Sequence, residues 1–360
     1  MLDTLFTPVD LGAIACRNRI VMAPMTRDRA GPGDVPNDIM VEYYRQRAGA
    51  GLIVTEGTQP TPEGKGYWRT PGIHTKDQTD GWRQVAEAVH AEGGKIVVQL
   101  MHCGRVVVPA NRGYEARIIA PSAVACPAKV PGPDGTPVTT PVPEALSADE
   151  LATIASEFAE AAAKARSAGI DGVELHCASG YLVNQFLNAQ SNQRTDEFGG
   201  SPTNRIRFPL MVLEAMAQEV GADRVGFRIS PGNGYNGMDT SEPWDTFGPF
   251  LEAADKLGLA YVHVVDMGDE CPGTLARVHR HYSGNIIANN MLDGPRAAEI
   301  IEDGDAAAVS FGRAFIANPD LPRRLLSGAA LAKPDYSKLY TGEEQGYCDY
   351  PPMDEQPPAS

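Results

Sequence analysis

The sequence predicts a closed (β/α)8 barrel, an α/β fold, in a single domain with one long loop over the barrel mouth. Eight short runs rich in β-branched residues alternate with longer amphipathic runs, no linker divides the 360 residues, and polar side chains stand where several of the short runs end. Barrels of this kind often hold a chain of this length in one domain, so a second domain is not required.

The order of the elements follows from hydrophobic periodicity. We predict strands at 19–23, 51–55, 95–100, 172–176, 224–229, 261–265, 285–288 and 307–311. The clearest helical patterns cover 79–91, 147–168, 204–220, 247–257 and 296–302.

One irregular stretch interrupts the alternation. Residues 121–144 are rich in Pro, Gly and Thr and exceed ordinary loop length. They form either a lid or substrate loop over the barrel mouth or a flexible surface loop. The domain is predicted to cover residues 1–350, and residues 351–360, with four prolines, form a C-terminal tail.

Composition excludes several classes of partner. The formal net charge is -15, so neither nucleic acid nor an anionic membrane is an expected partner. The six cysteines show no CxxC pair and no repeated spacing, which is typical of free thiols in a reducing cytoplasm. The N-terminus shows no signal peptide and no apolar run approaches 18 residues, so we expect a cytoplasmic protein. Monomer and homodimer both stay open.

Strand ends carry the candidate chemistry, because barrel enzymes build their sites there. After the fourth predicted strand come His176, Ser179 and Tyr181. At the third and fifth strands, Gln99 offers both a donor and an acceptor, and Arg228 stabilises an anion. The eighth strand is followed by Gly312 and Arg313, which suit a phosphate site. Cys103 and Cys177 each adjoin a histidine, but no spaced third ligand supports zinc, so no metal site is predicted.

Several ordered motifs together resemble the old yellow enzyme family of FMN oxidoreductases, of the N-ethylmaleimide reductase or ene-reductase type. The resemblance covers nearly the whole chain. It is carried by residues 18–27 (NRIVMAPMTR), 50–59 (AGLIVTEGTQ), 93–105, 184–187 (NQFL), 191–196 (SNQRTD) and 311–321.

The resemblance implies bound FMN at the barrel mouth, with NADPH or NADH as the reductant. In the family's arrangement the backbone from Ala23 to Thr26 covers the flavin, Gln99 pairs with its pyrimidine edge, and Arg228 lies near N1 and O2. The implied cofactor-binding residues are Ala23, Pro24, Met25, Thr26, Gly57, Gln99, Arg228, Asn290, Met291, Gly312 and Arg313. Asn290 and Met291 stand where the family more often has glycine or alanine.

The implied reaction is reduction of the C=C bond of an activated alkene such as an α,β-unsaturated carbonyl compound. His176 takes the family's place for a residue that grips the substrate oxygen, and Tyr181 takes that of the proton donor. Tyr67, Met101 and Tyr347 are expected to shape the substrate pocket.

Two positions depart from the family pattern. Ser179 replaces the usual Asn or His as second oxygen ligand, and Met101 replaces a common tryptophan. Ser179 either donates a hydrogen bond to the substrate oxygen or only makes room. The alternative functions are therefore desaturation, isomerisation or nitro-group reduction within the same family, or a flavin sensor without efficient turnover.

Overall fold

A computed structural model describes residues 2–290 and 292–353 of the chain. The described residues form fourteen strands: β1 (Val9–Leu11), β2 (Ile14–Cys16), β3 (Ile20–Met22), β4 (Leu52–Val54), β5 (Ile96–Leu100), β6 (Ile119–Ala120), β7 (Lys129–Pro131), β8 (Pro137–Thr139), β9 (Glu144–Ala145), β10 (Gly172–Cys177), β11 (Val225–Ile229), β12 (Tyr261–Val265), β13 (Ile286–Asn289) and β14 (Ala308–Phe311).

The same part of the chain contains eleven α-helices. They are α1 (Asp38–Gln46), α2 (Lys76–Ala91), α3 (Ala148–Ser167), α4 (Leu182–Leu187), α5 (Pro202–Arg205), α6 (Arg207–Val220), α7 (Trp244–Asp255), α8 (Thr274–His281), α9 (Gly294–Glu302), α10 (Arg313–Ala317) and α11 (Leu321–Ser327). None of these helices is both long enough and apolar enough to cross a membrane.

Eight parallel strands close into a barrel in the order β10, β11, β12, β13, β14, β3, β4 and β5, with β5 pairing back to β10. The predicted (β/α)8 barrel is confirmed, and each predicted strand agrees with its observed counterpart to within one residue at either end. Short runs rich in β-branched residues are therefore reliable strand signals here, because both faces of a barrel strand are covered.

Helix boundaries depend on caps that the periodicity does not show. Helix α2 begins three residues before its predicted start because the Thr75 side chain accepts from the Gln78 N–H, while the Gln78 side chain accepts from the Thr75 N–H. Ser147 and Glu150 form the same capping box at the start of α3. The predicted helix 204–220 is divided into α5 and α6.

The loop 121–144 is not irregular throughout, which corrects the sequence analysis. Strands β7 and β8 pair as an antiparallel hairpin, and β9, which begins at Glu144, pairs with β6. Asp134 and Gly135 lie in the hairpin turn, where Gly135 has a φ of 81°. An Asp-Gly pair is a hairpin signal because the turn requires positive φ, and the sequence analysis did not use it.

Buried arginines tie the C-terminal segment 338–347 to the start of the chain. Arg27 donates to the carbonyl oxygens of Leu339 (3.0 Å) and Gly346 (2.6 Å), and Arg29 donates to Lys338 (2.8 Å) and Leu339 (2.9 Å). Further on, Arg324 donates to the Pro351 carbonyl oxygen (3.1 Å). Residues 354–360 of the predicted tail lie outside the described residues.

Arg47 makes a similar junction at the end of α1. Its guanidinium lies 3.7 Å from the Tyr43 ring centroid and donates to the carbonyl oxygens of Phe315 (3.0 Å), Ile316 (2.8 Å) and Tyr347 (3.3 Å). The side chain is fully buried, so water does not replace these bonds if the guanidinium is lost.

We expect Arg47→Met to lower the free energy of unfolding by about 3 kcal/mol, because it leaves buried carbonyl oxygens without donors. Arg45→Met is the matched control, since Arg45 lies two residues away in exposed ion pairs with Glu42 and Glu92 and should cost less than about 1 kcal/mol. Urea unfolding of the three proteins measures both values, and equal losses would contradict the assignment.

Candidate active site

Two cavities open beside the ends of the barrel strands. The first, here called the Arg313 cavity, has a volume of about 410 Å³ and is lined by residues after β3, β11, β13 and β14. The second, the tyrosine cavity, has a volume of about 520 Å³ and is lined in part by Tyr67, Tyr181, Tyr235 and Tyr340. Met25 lines the first and Thr26 the second, so the two cavities are neighbours along one short segment.

The Arg313 cavity gathers most of the cofactor-binding residues that the resemblance implies. Its lining includes Ala23, Pro24, Met25, Arg228, Asn290, Gly312 and Arg313. Met291 lies outside the described residues. Helix α10 begins at Arg313, and the first N–H groups of a helix have no partner within it. Asn289 and Ser310 also line this cavity, and the sequence analysis did not assign them a role.

Gln99 and Gly57 do not line either cavity. Gly57 is buried, and a Cβ atom there would lie 2.5 Å from Met101 Cε, so the position excludes any larger residue unless Met101 moves. Gln99 is also buried, and its Nε2 donates to Glu174 Oε1 at 2.7 Å. Its side-chain oxygen accepts no hydrogen bond from the described residues, which leaves an acceptor at the end of β5.

A buried hydrogen-bonded chain runs across the barrel from Gln99, and we call it the Glu174 network: Gln99, Glu174, His263, Arg228 and Asn289. His263 Nδ1 lies 2.9 Å from Glu174 Oε2, Arg228 Nη1 lies 2.7 Å from His263 Nε2, and Arg228 Nη2 donates to Asn289 Oδ1 at 2.7 Å. If Nδ1 carries the proton of His263, Nδ1 donates to Glu174 and Nε2 accepts from Arg228 Nη1, which are the two shorter contacts of the ring within the network.

Protonation in this network follows from burial and charge. Burial, followed by the Arg228 charge, lowers the pKa of His263 to about 4, so the ring is neutral near pH 7. Burial opposes ionisation of Glu174, but the favourable interactions with His263, Arg228 and Gln99 outweigh it and hold its pKa below the usual value. The network therefore joins one carboxylate and one guanidinium through a neutral imidazole.

The donor set fits the FMN that the resemblance implies. The free oxygen of Gln99 is an acceptor for an imide N–H, and Arg228 is a cation held in place by Asn289. The first turn of α10 and Asn290 supply neutral donors at the Arg313 cavity, as a phosphate requires. Sequence reasoning missed Glu174 and His263 because both lie inside apolar strands rather than at their ends.

His176 is the penultimate residue of β10, is buried, and contacts Tyr181. The two rings meet edge to face, with centroids 4.9 Å apart and an interplanar angle of 84°. His176 Nδ1 accepts from the Ala178 N–H at 3.2 Å, so a neutral ring carries its proton on Nε2. Burial, followed by the Arg228 charge, lowers the pKa of His176 to about 3, and the ring is therefore a neutral donor near pH 7.

Tyr181 lines the tyrosine cavity beside Tyr67. Their hydroxyl oxygens are 3.0 Å apart, and either group can donate. Burial raises the pKa of Tyr181 well above its usual value, and burial does the same for Tyr67. Both phenols therefore keep their protons at neutral pH.

Ser179 has an unusual backbone for a serine. Its φ is 56°, a left-handed conformation that asparagine tolerates better. The Ser179 N–H donates to Ser230 Oγ at 3.0 Å, and its carbonyl oxygen accepts from Asn236 Nδ2 at 2.9 Å. These bonds fix the turn, while the Ser179 hydroxyl has no hydrogen bond to the described residues.

Only one of the three residues expected to shape the substrate pocket lies there. Tyr67 lines the tyrosine cavity. Met101 instead packs in a small buried cluster with Tyr181. Tyr347 is fully buried, stacked on Tyr43 with ring centroids 3.9 Å apart, and does not line the tyrosine cavity.

Tyr340, seven residues earlier, lines the cavity instead of Tyr347. Asp28, Trp68, Tyr235 and the hairpin tip at 131–135 also line it, and the sequence analysis assigned none of them. The hairpin was expected only as a loop near the mouth. No periodic signal marks these loop positions, although the aromatic residues themselves are visible in the sequence.

Comparison with known proteins identifies the family of this chain. The model of the NADH:flavin oxidoreductase / NADH oxidase family matches residues 4–332. A probable flavin mononucleotide-dependent alkene reductase from Leishmania infantum is 41% identical over 358 residues, covering 98% of each chain.

Solved structures agree closely with the fold. Morphinone reductase in complex with tetrahydroNAD is 43% identical, with a TM-score of 0.93 and 98% of each chain covered. The old yellow enzyme homologue from Zymomonas mobilis is 37% identical, with a TM-score of 0.92, covering 97% of this chain and 99% of that one. This chain therefore belongs to the NADH:flavin oxidoreductase / NADH oxidase family, the family of the old yellow enzymes.

Proposed function

We propose that this protein is an FMN-dependent ene-reductase that uses NADPH or NADH to reduce the C=C bond of α,β-unsaturated carbonyl compounds or related activated alkenes. The relatives named as alkene reductase and morphinone reductase support this reaction class. The observation that carries the proposal is the contact between the neutral imidazole of His176 and the protonated phenol of Tyr181 beside the tyrosine cavity.

Residues at two places would hold FMN. Asn290, Gly312 and Arg313 would bind its phosphate, and Gln99 and Arg228 would bind the pyrimidine edge. When bound, FMN supplies the hydride for the double bond, after its own reduction by the nicotinamide. The Glu174 network orients Gln99 and Arg228 for this task, because Gln99 donates through Nε2 to Glu174 and Arg228 donates through Nη1 to His263 and through Nη2 to Asn289.

His176 would hold the substrate oxygen. Its Nε2–H is the free donor, since Nδ1 is occupied by the Ala178 N–H. A donor on the carbonyl oxygen withdraws electron density from the conjugated double bond and stabilises the negative charge that develops there. Because the His176 ring is neutral, its Nε2–H is a very weak acid. It therefore donates this hydrogen bond to the substrate oxygen without transferring its proton.

Tyr181 would give its proton to the α-carbon of the alkene. A phenol with a raised pKa is a weak acid, but an enolate-like carbon is a strong enough base to take the proton. The Tyr67 hydroxyl, 3.0 Å away, stabilises the resulting phenolate by donating to it. Ser179 would add a second donor to the substrate oxygen only if its hydroxyl turns toward it.

We also infer a cytoplasmic location and an FMN-binding domain of residues 1–350. Support for the location comes from the six cysteines, all of which are free thiols in the described part of the chain. The terminal segment to Tyr347 is bound to Arg27 and Arg47, which supports a domain that extends this far.

We expect the purified protein to be yellow, and its reduced form to be reoxidised by 2-cyclohexenone when the two are mixed anaerobically in a stopped-flow instrument. The visible absorbance of oxidised flavin should return in a single turnover, at a rate that rises with the concentration of enone. Flavin that stays reduced with every enone, aldehyde or nitroalkene tested would contradict the proposal.

Tyr181→Phe should lower the rate of alkene reduction about a hundredfold, because it removes the phenol that is proposed to protonate the α-carbon. The rate of flavin reduction by NADPH should change far less, which separates proton donation from cofactor binding. Tyr67→Phe is the matched control: it removes the neighbouring hydroxyl and leaves the donor, so its loss should be about tenfold or smaller. Unchanged alkene reduction in Tyr181→Phe would show that the donor is wrongly assigned.

Ser179→Asn should raise kcat/KM for 2-cyclohexenone about tenfold, since asparagine suits the positive φ and carries an N–H donor farther into the site. Ser179→Ala distinguishes the two roles left open for the serine. A fall of about tenfold identifies its hydroxyl as an oxygen ligand, whereas an unchanged value shows that the residue only makes room.

A further inference from the structure

Asp28 is a carboxylic acid in the wall of the tyrosine cavity that the reaction does not use. The residue has a φ of 56°, so its backbone is held in the left-handed region, which aspartate enters more readily than most residues. Its Oδ1 atom is closed off from solvent, and none of the described residues forms a hydrogen bond with it. A buried acceptor without a donor is costly unless a ligand supplies one.

Three arginines surround Asp28, but their donors are directed elsewhere. Arg27 and Arg29 donate to carbonyl oxygens of the C-terminal segment 338–347. Arg69 makes a two-point contact with Glu343, at 2.6 and 2.9 Å. The carboxyl group of Asp28 therefore lies among cations without a hydrogen bond to any of them.

Charge around Asp28 does not remove the cost of burial. Burial, with the nearby Glu56 carboxylate, raises the pKa of Asp28 to about 8, although Arg29, Arg69 and Arg27 act in the opposite direction. Tyr340 faces it from the C-terminal segment and has its own pKa raised, chiefly by burial and then by Asp28. A cation placed in the cavity would stabilise the ionised form of Asp28.

The rest of the cavity wall suits such a cation. Five aromatic side chains line it: Tyr67, Trp68, Tyr181, Tyr235 and Tyr340. Asp134, at the hairpin tip, adds a second carboxylate, and among the described residues no lysine or arginine lines the cavity. Aromatic faces together with a carboxylate are the chemistry that recognises an alkylammonium group.

We propose that Asp28 is a specificity-determining residue, which makes activated alkenes that carry a substituted ammonium group the preferred substrates of the tyrosine cavity. The inference rests on the proposed function, since it names the substrate class for that reaction. Asp28 binds the ammonium group by charge, the aromatic residues surround its methyl or methylene groups, and the alkene extends toward Tyr181.

Two matched aldehydes test this preference. In 4-(trimethylammoniomethyl)cinnamaldehyde and 4-neopentylcinnamaldehyde, the substituents have nearly the same shape and differ in charge. We expect the ratio of kcat/KM for the charged over the neutral aldehyde to fall about tenfold in Asp28→Asn. Asparagine suits the positive φ, and Asp28→Gly serves as a second variant if Asp28→Asn does not fold.

Glu214→Gln is the matched control, because it likewise replaces a carboxyl group with an amide, at an exposed position on α6. Its ratio should equal that of the unmodified protein. The same ratio in the unmodified protein and in Asp28→Asn would overturn the proposal, as would a fall of equal size in Glu214→Gln.

Binding of benzyltrimethylammonium, followed by calorimetry, separates this inference from the proposed function. The cation cannot be reduced, so its binding is measured whether or not the protein reduces alkenes. We expect the dissociation constant to rise about tenfold in Asp28→Asn. Reduction of neither aldehyde would contradict the proposed function alone, whereas equal binding by both proteins would overturn the role of Asp28.

Discussion

The charge pair inside the barrel is the interaction on which the rest of the site depends. Glu174 and Arg228 lie on neighbouring strands, Glu174 fully buried and Arg228 half-buried. Their loss of water on folding is favourable only when each finds hydrogen-bond partners. Strand register supplies them: Gln99 lies opposite Glu174, and His263 lies opposite Arg228. The barrel thus holds Gln99 and Arg228 in fixed positions, so that the residues proposed to bind the pyrimidine edge of FMN would not have to reorganise.

Burial also sets the protonation state of the two candidate catalytic residues, His176 and Tyr181. It disfavours the charged form of each, so His176 loses the tendency to gain a proton and Tyr181 loses the tendency to release one. Both side chains are therefore neutral donors. His176 Nδ1 accepts from the Ala178 N–H, and the Tyr181 hydroxyl lies within hydrogen-bond distance of the Tyr67 hydroxyl. Neither side chain has to change these partners before it contacts the substrate.

The sequence predicts the barrel more accurately than it predicts which side chains line the tyrosine cavity. Strands such as β10 have a strong apolar pattern, and His176 and Tyr181 belong to an ordered motif. Tyr340 and Tyr347 have no such pattern, since their places depend on which carbonyl oxygens Arg27, Arg29 and Arg47 bind. The sequence alone does not indicate a role for Glu174 or His263. The role of a polar residue inside a strand can be inferred only when its neighbours across the sheet are known.

The C-terminal segment has a consequence for how the protein is made. Asp28, the hairpin tip at 131–135 and Tyr340 are far apart along the chain, yet they form one cavity wall. During synthesis the barrel strands end with β14 at Phe311, whereas the cavity lacks a side until Tyr340 and Thr341 have left the ribosome. A nascent chain can therefore complete its barrel strands while the tyrosine cavity is still open, and a segment synthesised after the barrel closes that cavity.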